Sequence, residues 1–427
     1  MLYLTTKTKK MIKGLRAGLI ALMTGALFVT SMSVSGQIGS GELGGGDLNT
    51  IQTAVPFLTI APDSRSGAMG DVGVASTPDV NSQHWNIGKY AFIESKGGFA
   101  ISYTPWLRNL TPGINLAYLS GYYKINDKNV VSSSFRYFSL GNITFTNISG
   151  HPTGSYQPIE FAIDAGYSRL LTDHFSGGLV FRYIRSDLTS GQTTADGQST
   201  QAGTSIAGDI GLYYQNEVQM GSKEARWALG INLSNLGTPI SYTADAYKIP
   251  IPSNLRLGGR FEYGINDLNS ISIHADLNKL LVPTPPVYDT DTATGDLRVV
   301  RGKAPPESIV AGMFQSFADA PGVQKSYGEY SVFHEEMYEI AYSIGLEYNF
   351  RNLIAVRSGY FHEHAAKGNR KYLTFGLGVM NPYFSLELSY LAPTNGQDSP
   401  LANTFRVTFT STFGRTTPLD PELRSTF

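Results

Sequence analysis

The sequence predicts an all-β protein: a transmembrane antiparallel β-barrel of about fourteen strands, with an N-terminal segment plugging its lumen. Three observations carry this. Charged residues make up only 16% of the 427, whereas a soluble α/β enzyme carries about 25%. Aromatics reach 12%, with 25 Tyr and 22 Phe, as suits a lipid-facing wall ringed by interfacial side chains. Apolar and polar residues also alternate with period two, in segments whose connections are short and long by turns.

The chain opens with Lys7, Lys9, Lys10, Lys13 and Arg16, followed by an apolar run from Ala17 to Thr30 and small residues up to Gly36. This reads as a secretory signal peptide over 1–36, cleaved before Gln37, rather than a retained anchor. The Gly-rich continuation, Gly39 to Gly46, favours cleavage. The absence of cysteine agrees with export, because nothing here needs an oxidising compartment. A net charge of −1 gives no footprint for nucleic acid.

Residues 37–98 carry Pro56, Pro62, Asp63, Gly67, Gly70, Gly73 and Pro78 and no strand pattern, so they are read as a plug inside the barrel. The barrel itself is expected over 99–413, with strands at 99–106, 114–125, 129–139, 158–171, 174–188, 204–218, 225–235, 253–264, 270–282, 337–351, 353–364, 370–381, 383–393 and 403–413. Ile271, Ile273, Ala275 and Leu277 alternating with Ser272, His274, Asp276 and Asn278 is representative. Alternation alone also suits a soluble sandwich. Spanning strands, however, need roughly 9–11 residues, and many of these segments run that long.

Loop parity decides between the two. Connections at 126–128, 172–173, 219–224, 265–269, Asn352 and Pro382 are tight, while 140–157, 189–203, 236–252 and 283–336 are long. Short periplasmic turns alternating with longer external loops are an outer-membrane pattern, and an even strand count puts both termini on the periplasmic side. Residues 414–427 then form a periplasmic C-terminal tail.

Lumen-facing charges of both signs are expected, namely Asp164, Arg182, Asp209, Arg256, Arg260, Glu262, Asp276, Glu347, Arg357, Glu387 and Arg406, chiefly pairing with one another and with the plug. His362 and His364 share a strand face but lack a third ligand, so a rim position is favoured over a metal. His334-Glu335-Glu336 lacks the second His that a zinc-protease helix needs. No nucleophile elbow or phosphate-binding loop occurs, so neither catalysis nor a cofactor is expected.

The loop 283–336 is the most unusual feature. A short helix over 307–320, stopped by Pro321-Gly322, would place Ile309, Met313, Phe314 and Phe317 on one side. That apolar side must cover something: either it caps the lumen or it presents a surface to a partner.

Pro56 through Asp71, Asp79 through Asn86, Asp276-Leu277-Asn278-Lys279-Leu280-Leu281-Val282-Pro283-Thr284-Pro285, Phe314 through Gly322, Arg357 through Glu363, Gly368 through Tyr372 and Ser399 through Thr404 together resemble the PorV family of the type IX secretion system. That family lies within the wider group of FadL-type fatty-acid transporters. The resemblance implies an integral outer-membrane barrel, no enzyme, that receives the C-terminal signal domain of secreted cargo at a large translocon. It implies further that the barrel carries the cargo to a surface sortase complex. The alternative is a FadL-type transporter of hydrophobic small molecules. Where the wider group carries Asn-Pro-Ala, this chain has Asn86-Ile87-Gly88, and the missing proline is expected to loosen the plug at that turn.

Overall fold

The computed structural model describes residues 48–415, apart from 108–110, 112, 147–148, 190, 192–198, 244–247, 291–295, 327 and 396–398. The expected signal peptide and the tail from 416 onward lie outside the described residues.

Fourteen antiparallel strands close into one barrel. They are β1 Ser95–Pro105, β2 Ile114–Asn126, β3 Asn129–Leu140, β4 Ile159–Leu170, β5 Phe175–Asp187, β6 Gly203–Met220 and β7 Lys223–Gly237. They continue as β8 Asn254–Asn266, β9 Asn269–Leu280, β10 Ile340–Phe350, β11 Ile354–His362, β12 Lys371–Met380, β13 Phe384–Pro393 and β14 Thr404–Arg415. Each pairs with its sequence neighbour, and β14 closes on β1, with Phe99 opposite Ser411 and Tyr103 opposite Val407. No described helix is long and apolar enough to cross a membrane, so the strands do the crossing.

The side-chain distribution is inverted relative to a soluble sandwich. On β9, Ile271, Ile273 and Leu277 are 42%, 50% and 49% exposed, while Asp276 is 2% exposed. Apolar side chains therefore form the outer face, and polar ones turn inward against the plug.

Connections sort by parity. One end carries 127–128, 171–174, 221–222, 267–268, 351–353 and 381–383, and the other carries 106–113, 141–158, 188–202, 238–253, 281–339, 363–370 and 394–403. The tight turns are built by asparagine: the Asn126 side chain accepts from the Lys128 and Asn129 amides, and that of Asn381 from Tyr383 and Phe384. Arg351 and Asn352 both adopt positive φ, as a two-residue hairpin turn requires.

Strand boundaries shift by a few residues from expectation, and three shifts are instructive. β1 begins at Ser95, so the plug ends at Glu94, and β14 runs on to Arg415. Residues 337–338 belong to a helix, and the strand that follows starts at Ile340. Alternation locates the membrane-embedded part of a strand but not its polar extension beyond the bilayer.

The plug has no core of its own. It consists of a 3-10 turn at Pro56–Thr59, α1 at Ser64–Gly67, α2 at Ser82–Trp85 and a second 3-10 turn at Ile87–Phe92. Asp63 caps α1 through the Ser66 amide, and Asn86 caps the second turn through the Gly88 amide. The plug runs from the long-loop end, where the Asn49 amide bonds Ala366 O and that of Ala54 bonds Pro250 O. It leaves at the short-turn end, where Lys124 bonds Ile93 O. The wall begins at Ser95 and finishes at Arg415 at this same short-turn end, as the even strand count requires. The described chain nevertheless starts at the external mouth, because the plug threads the lumen once.

Candidate functional site

Two places could carry function: the lumen and the external loop 281–339. In the lumen, Arg182 bridges Asp164 at 2.7 Å and Asp209 at 3.0 Å and also donates to Asn235. Asn235 sits at a bulge between β6 and β7, at φ 58°, and its amide is satisfied by Asp209. Glu347 is held by Arg357 at 2.5 Å, and Arg357 reaches Glu387 at 3.3 Å.

The plug joins these wall networks. Arg65 makes two bonds to Glu347, at 3.0 and 3.1 Å, and one to Asp79 at 3.0 Å. Asp276 accepts the Gly73 and Val74 amides at 2.7 and 3.1 Å. Arg406 lies 3.5 Å from Asp71, and Arg260 lies 3.4 Å from Glu262. Arg256 packs its guanidinium 4.9 Å from the Trp85 ring. The sequence-predicted charges thus face inward, and most of them pair within the barrel or hold the plug.

The sequence reading missed the space that admits the plug. Gly230, Gly345 and Gly359 lie on inward faces where plug backbone lies against the wall, and a Cβ at Gly359 would sit 2.1 Å from the Met69 carbonyl carbon. Glycines at inward positions of consecutive strands were the available signal. The turn at Asn86-Ile87-Gly88 is not loose. The Asn86 side chain accepts from Gly88 and donates to Val74 O and Leu212 O at 3.1 and 2.9 Å, doing the work expected of a proline.

Toward the external mouth the lumen turns apolar. Phe57 stacks on Phe138 at 5.9 Å, and Leu58 lies in the same cluster as Leu116, Ile184, Ile240 and Ile251. The plug's own Phe57 and Leu58 side chains fill this apolar region.

In the external loop, α3 covers Ile309–Gln315, capped by Ser308 through the Ala311 amide. It is shorter than the expected 307–320. Its close contact with the rest of the protein is at Gly312, which lies against Pro283 and Pro306. Ile309, Phe314 and Phe317 are 41%, 76% and 49% exposed, and Met313 is half-buried. Phe317 lies beyond the helix, 5.5 Å beneath the Lys279 ammonium. Ile309, Phe314 and Phe317 are thus open to solvent rather than packed into the lumen.

A second helix of the same loop, α4 at Val332–Tyr338, exposes Val332, Phe333 and Met337. The sequence reading missed it, although its apolar and acidic residues fall on opposite sides. Glu335 and Glu336 are buried as ion-pair partners of Lys367 and Lys279, and His334 bonds Ser331. His362 and His364 stack on Tyr342 and Tyr338 at 4.6 and 3.6 Å. Burial and nearby Lys371 hold His364 below its ordinary pKa, and its Nδ1 accepts the Ala366 amide. Among the described residues no three His, Cys, Asp or Glu side chains gather as a metal site.

A closed barrel with an apolar outer wall, a polar lumen filled by its own N-terminal segment and long loops at one mouth defines an outer-membrane-type β-barrel. The chain belongs to the PorV family: residues 45–287 match the family described as Type IX secretion system protein PorV. Among solved structures it is similar to the Ralstonia pickettii toluene transporter TbuX, at 11% identity over 84% of this chain and 100% of that one, with a TM-score of 0.44. It is also similar to the Pseudomonas putida toluene transporter TodX, at 13% identity over 86% and 98%, with a TM-score of 0.44. A Pseudomonas aeruginosa FadL homologue matches at 11% identity over 86% and 99%, with a TM-score of 0.40. No curated protein matches the sequence.

Proposed function

We propose that this barrel works in the outer membrane as a docking and shuttle component of type IX secretion. It takes the C-terminal signal domain of secreted cargo from the large translocon and presents it to a surface sortase complex, with no catalysis of its own. Family membership supports the pathway. The carrying observation is the contrast between mouth and lumen: apolar Phe314, Phe317 and Phe333 stand exposed on the external loop, while the lumen is packed with plug. Exposed apolar side chains grouped on one rigid feature mark contact surfaces. Ile309, Met313, Phe314 and Phe317 are the proposed cargo-contact residues.

A hydrophobic-solute transporter is the alternative, and it would need the apolar region around Phe138 to be vacated by Phe57. Purification of the tagged protein from native outer membranes in mild detergent, with mass spectrometry of retained species, separates the readings. Recovery of the translocon and of proteins sharing a C-terminal signal domain supports docking. Recovery of the barrel alone with bound lipid overturns it. Deletion of 307–320 should leave the barrel folded and abolish cargo release; normal surface display in that mutant would count against the loop.

A further inference from the structure

The long external loop is fastened by one buried polar network. Lys279 Nζ meets Glu336 at 3.0 Å and Glu339 at 2.6 Å, and Lys367 Nζ meets Glu335 at 2.7 Å and Glu339 at 3.0 Å. Glu336 also accepts the Asp319 and Ala320 amides, Glu335 the Gly322 amide, and Glu339 the Thr284 hydroxyl. Three glutamates at α4 thus hold the end of β9, the segment after α3 and the 363–370 loop. Every contact named so far lies within the external loop and its neighbours. One further partner does not. The Asn49 side chain donates to Glu335 Oε1 at 3.1 Å and to Pro285 O at 3.3 Å, while its amide bonds Ala366 O at 3.1 Å.

We infer that residues 48–54 are a strap that clasps the external loop onto the barrel, with Leu48 at its outer end open to the cell surface. The strap runs from Leu48, 63% exposed, to Ala54, 5% exposed and bonded to Pro250, so it enters the mouth from outside. It touches three separate loops, 238–253, 281–339 and 363–370. Since Glu335 is shared between Asn49 and Lys367, pulling the strap away loosens the same carboxylate that anchors α4. The plug's outer end and the exposed apolar surface are therefore mechanically joined. None of this depends on what the surface binds.

Three measurements test it, using the full-length protein in intact cells. An epitope inserted immediately before Leu48 should bind antibody without permeabilisation; labelling only after permeabilisation overturns the threading. Asn49→Asp places a carboxylate beside Glu335, and the loop should then be cleaved by added protease roughly tenfold faster, since a hydrogen bond to a charged group is lost and cleavage follows the opened population. The barrel's heat-modifiable gel mobility should not change. A disulfide between N49C and A366C, in a chain with no native cysteine, should form and protect the loop. Wild-type cleavage in Asn49→Asp, or no crosslink in a folded double variant, overturns the clasp.

Discussion

Replacing Arg65 with Met should detach the plug without unfolding the barrel. Arg65 gives Glu347 two charged bonds, gives Asp79 one, and reaches Thr77 through its carbonyl at 3.2 Å and its hydroxyl. Removing one member of a buried pair costs about 3–5 kcal/mol, because the other charge is left uncompensated. Here Glu347 keeps Arg357 at 2.5 Å, so the lower end applies. A loss of about 3 kcal/mol multiplies the undocked population by roughly a hundred. The wall has its own ladder of strand pairs and should hold. Hydrogen exchange reads this directly: the Gly73 and Val74 amides, bonded to Asp276, should exchange about a hundredfold faster, while amides of β9 keep their protection. The double variant Arg65→Met/Glu347→Leu should recover much of the loss, since an apolar pair often replaces a buried ion pair at little cost. Unchanged exchange at Gly73 in Arg65→Met would refute the account of what holds the plug. So would a double variant as loose as the single one.

Asn86→Ala removes one accepted and two donated bonds and should destabilise the plug by about 2–4 kcal/mol, read as a lower plug-release temperature with the barrel transition unmoved. Phe314→Ser with Phe317→Ser should leave the heat-modifiable transition within about 0.5 kcal/mol, because both side chains are exposed, while cargo retention in pull-downs is lost. Burial, with Glu336 and Glu339 nearby, pushes Asp319 up to about 6. That lies above the ordinary carboxylate range of the undocked loop, so the docked loop binds a proton more readily than the undocked one. Loop docking should therefore strengthen as pH falls from 7 through 6 toward 4, with slower protease cleavage at pH 5.5 than at 7.5. Asp319→Asn should flatten that part of the profile.

Much of the wall was legible in the sequence. Outward apolar residues such as Ile271, Ile273 and Leu277 impose period two on every spanning segment, and the bilayer sets the segment length. Loop parity followed from the same pattern. The plug was legible only as an interruption. Its residues lie against a polar wall and bond through backbone amides, as Gly73 and Val74 do to Asp276, so no hydrophobic period marks them. Its direction of travel was likewise hidden, since it rests on single contacts such as Asn49 with Ala366, 317 residues away in sequence. At the loop, the composition announced an apolar surface. The helix start and seat did not follow from composition, because Ser308 sets the first through local capping and Gly312 the second through its fit against two prolines.

The contacts between α1 and β14 have a consequence for biogenesis. The Ser64 amide bonds Thr408 across 344 residues of sequence, and Arg406 lies over Gly67. The strand made last therefore supplies part of the seat for the segment exported first. Contacts so distant in sequence form late, because the intervening chain must close first. The final stitching of β14 to β1 and the seating of the plug become a single event. A barrel lacking β14 would therefore lack both its seam with β1 and the Thr408 and Arg406 part of the plug's seat.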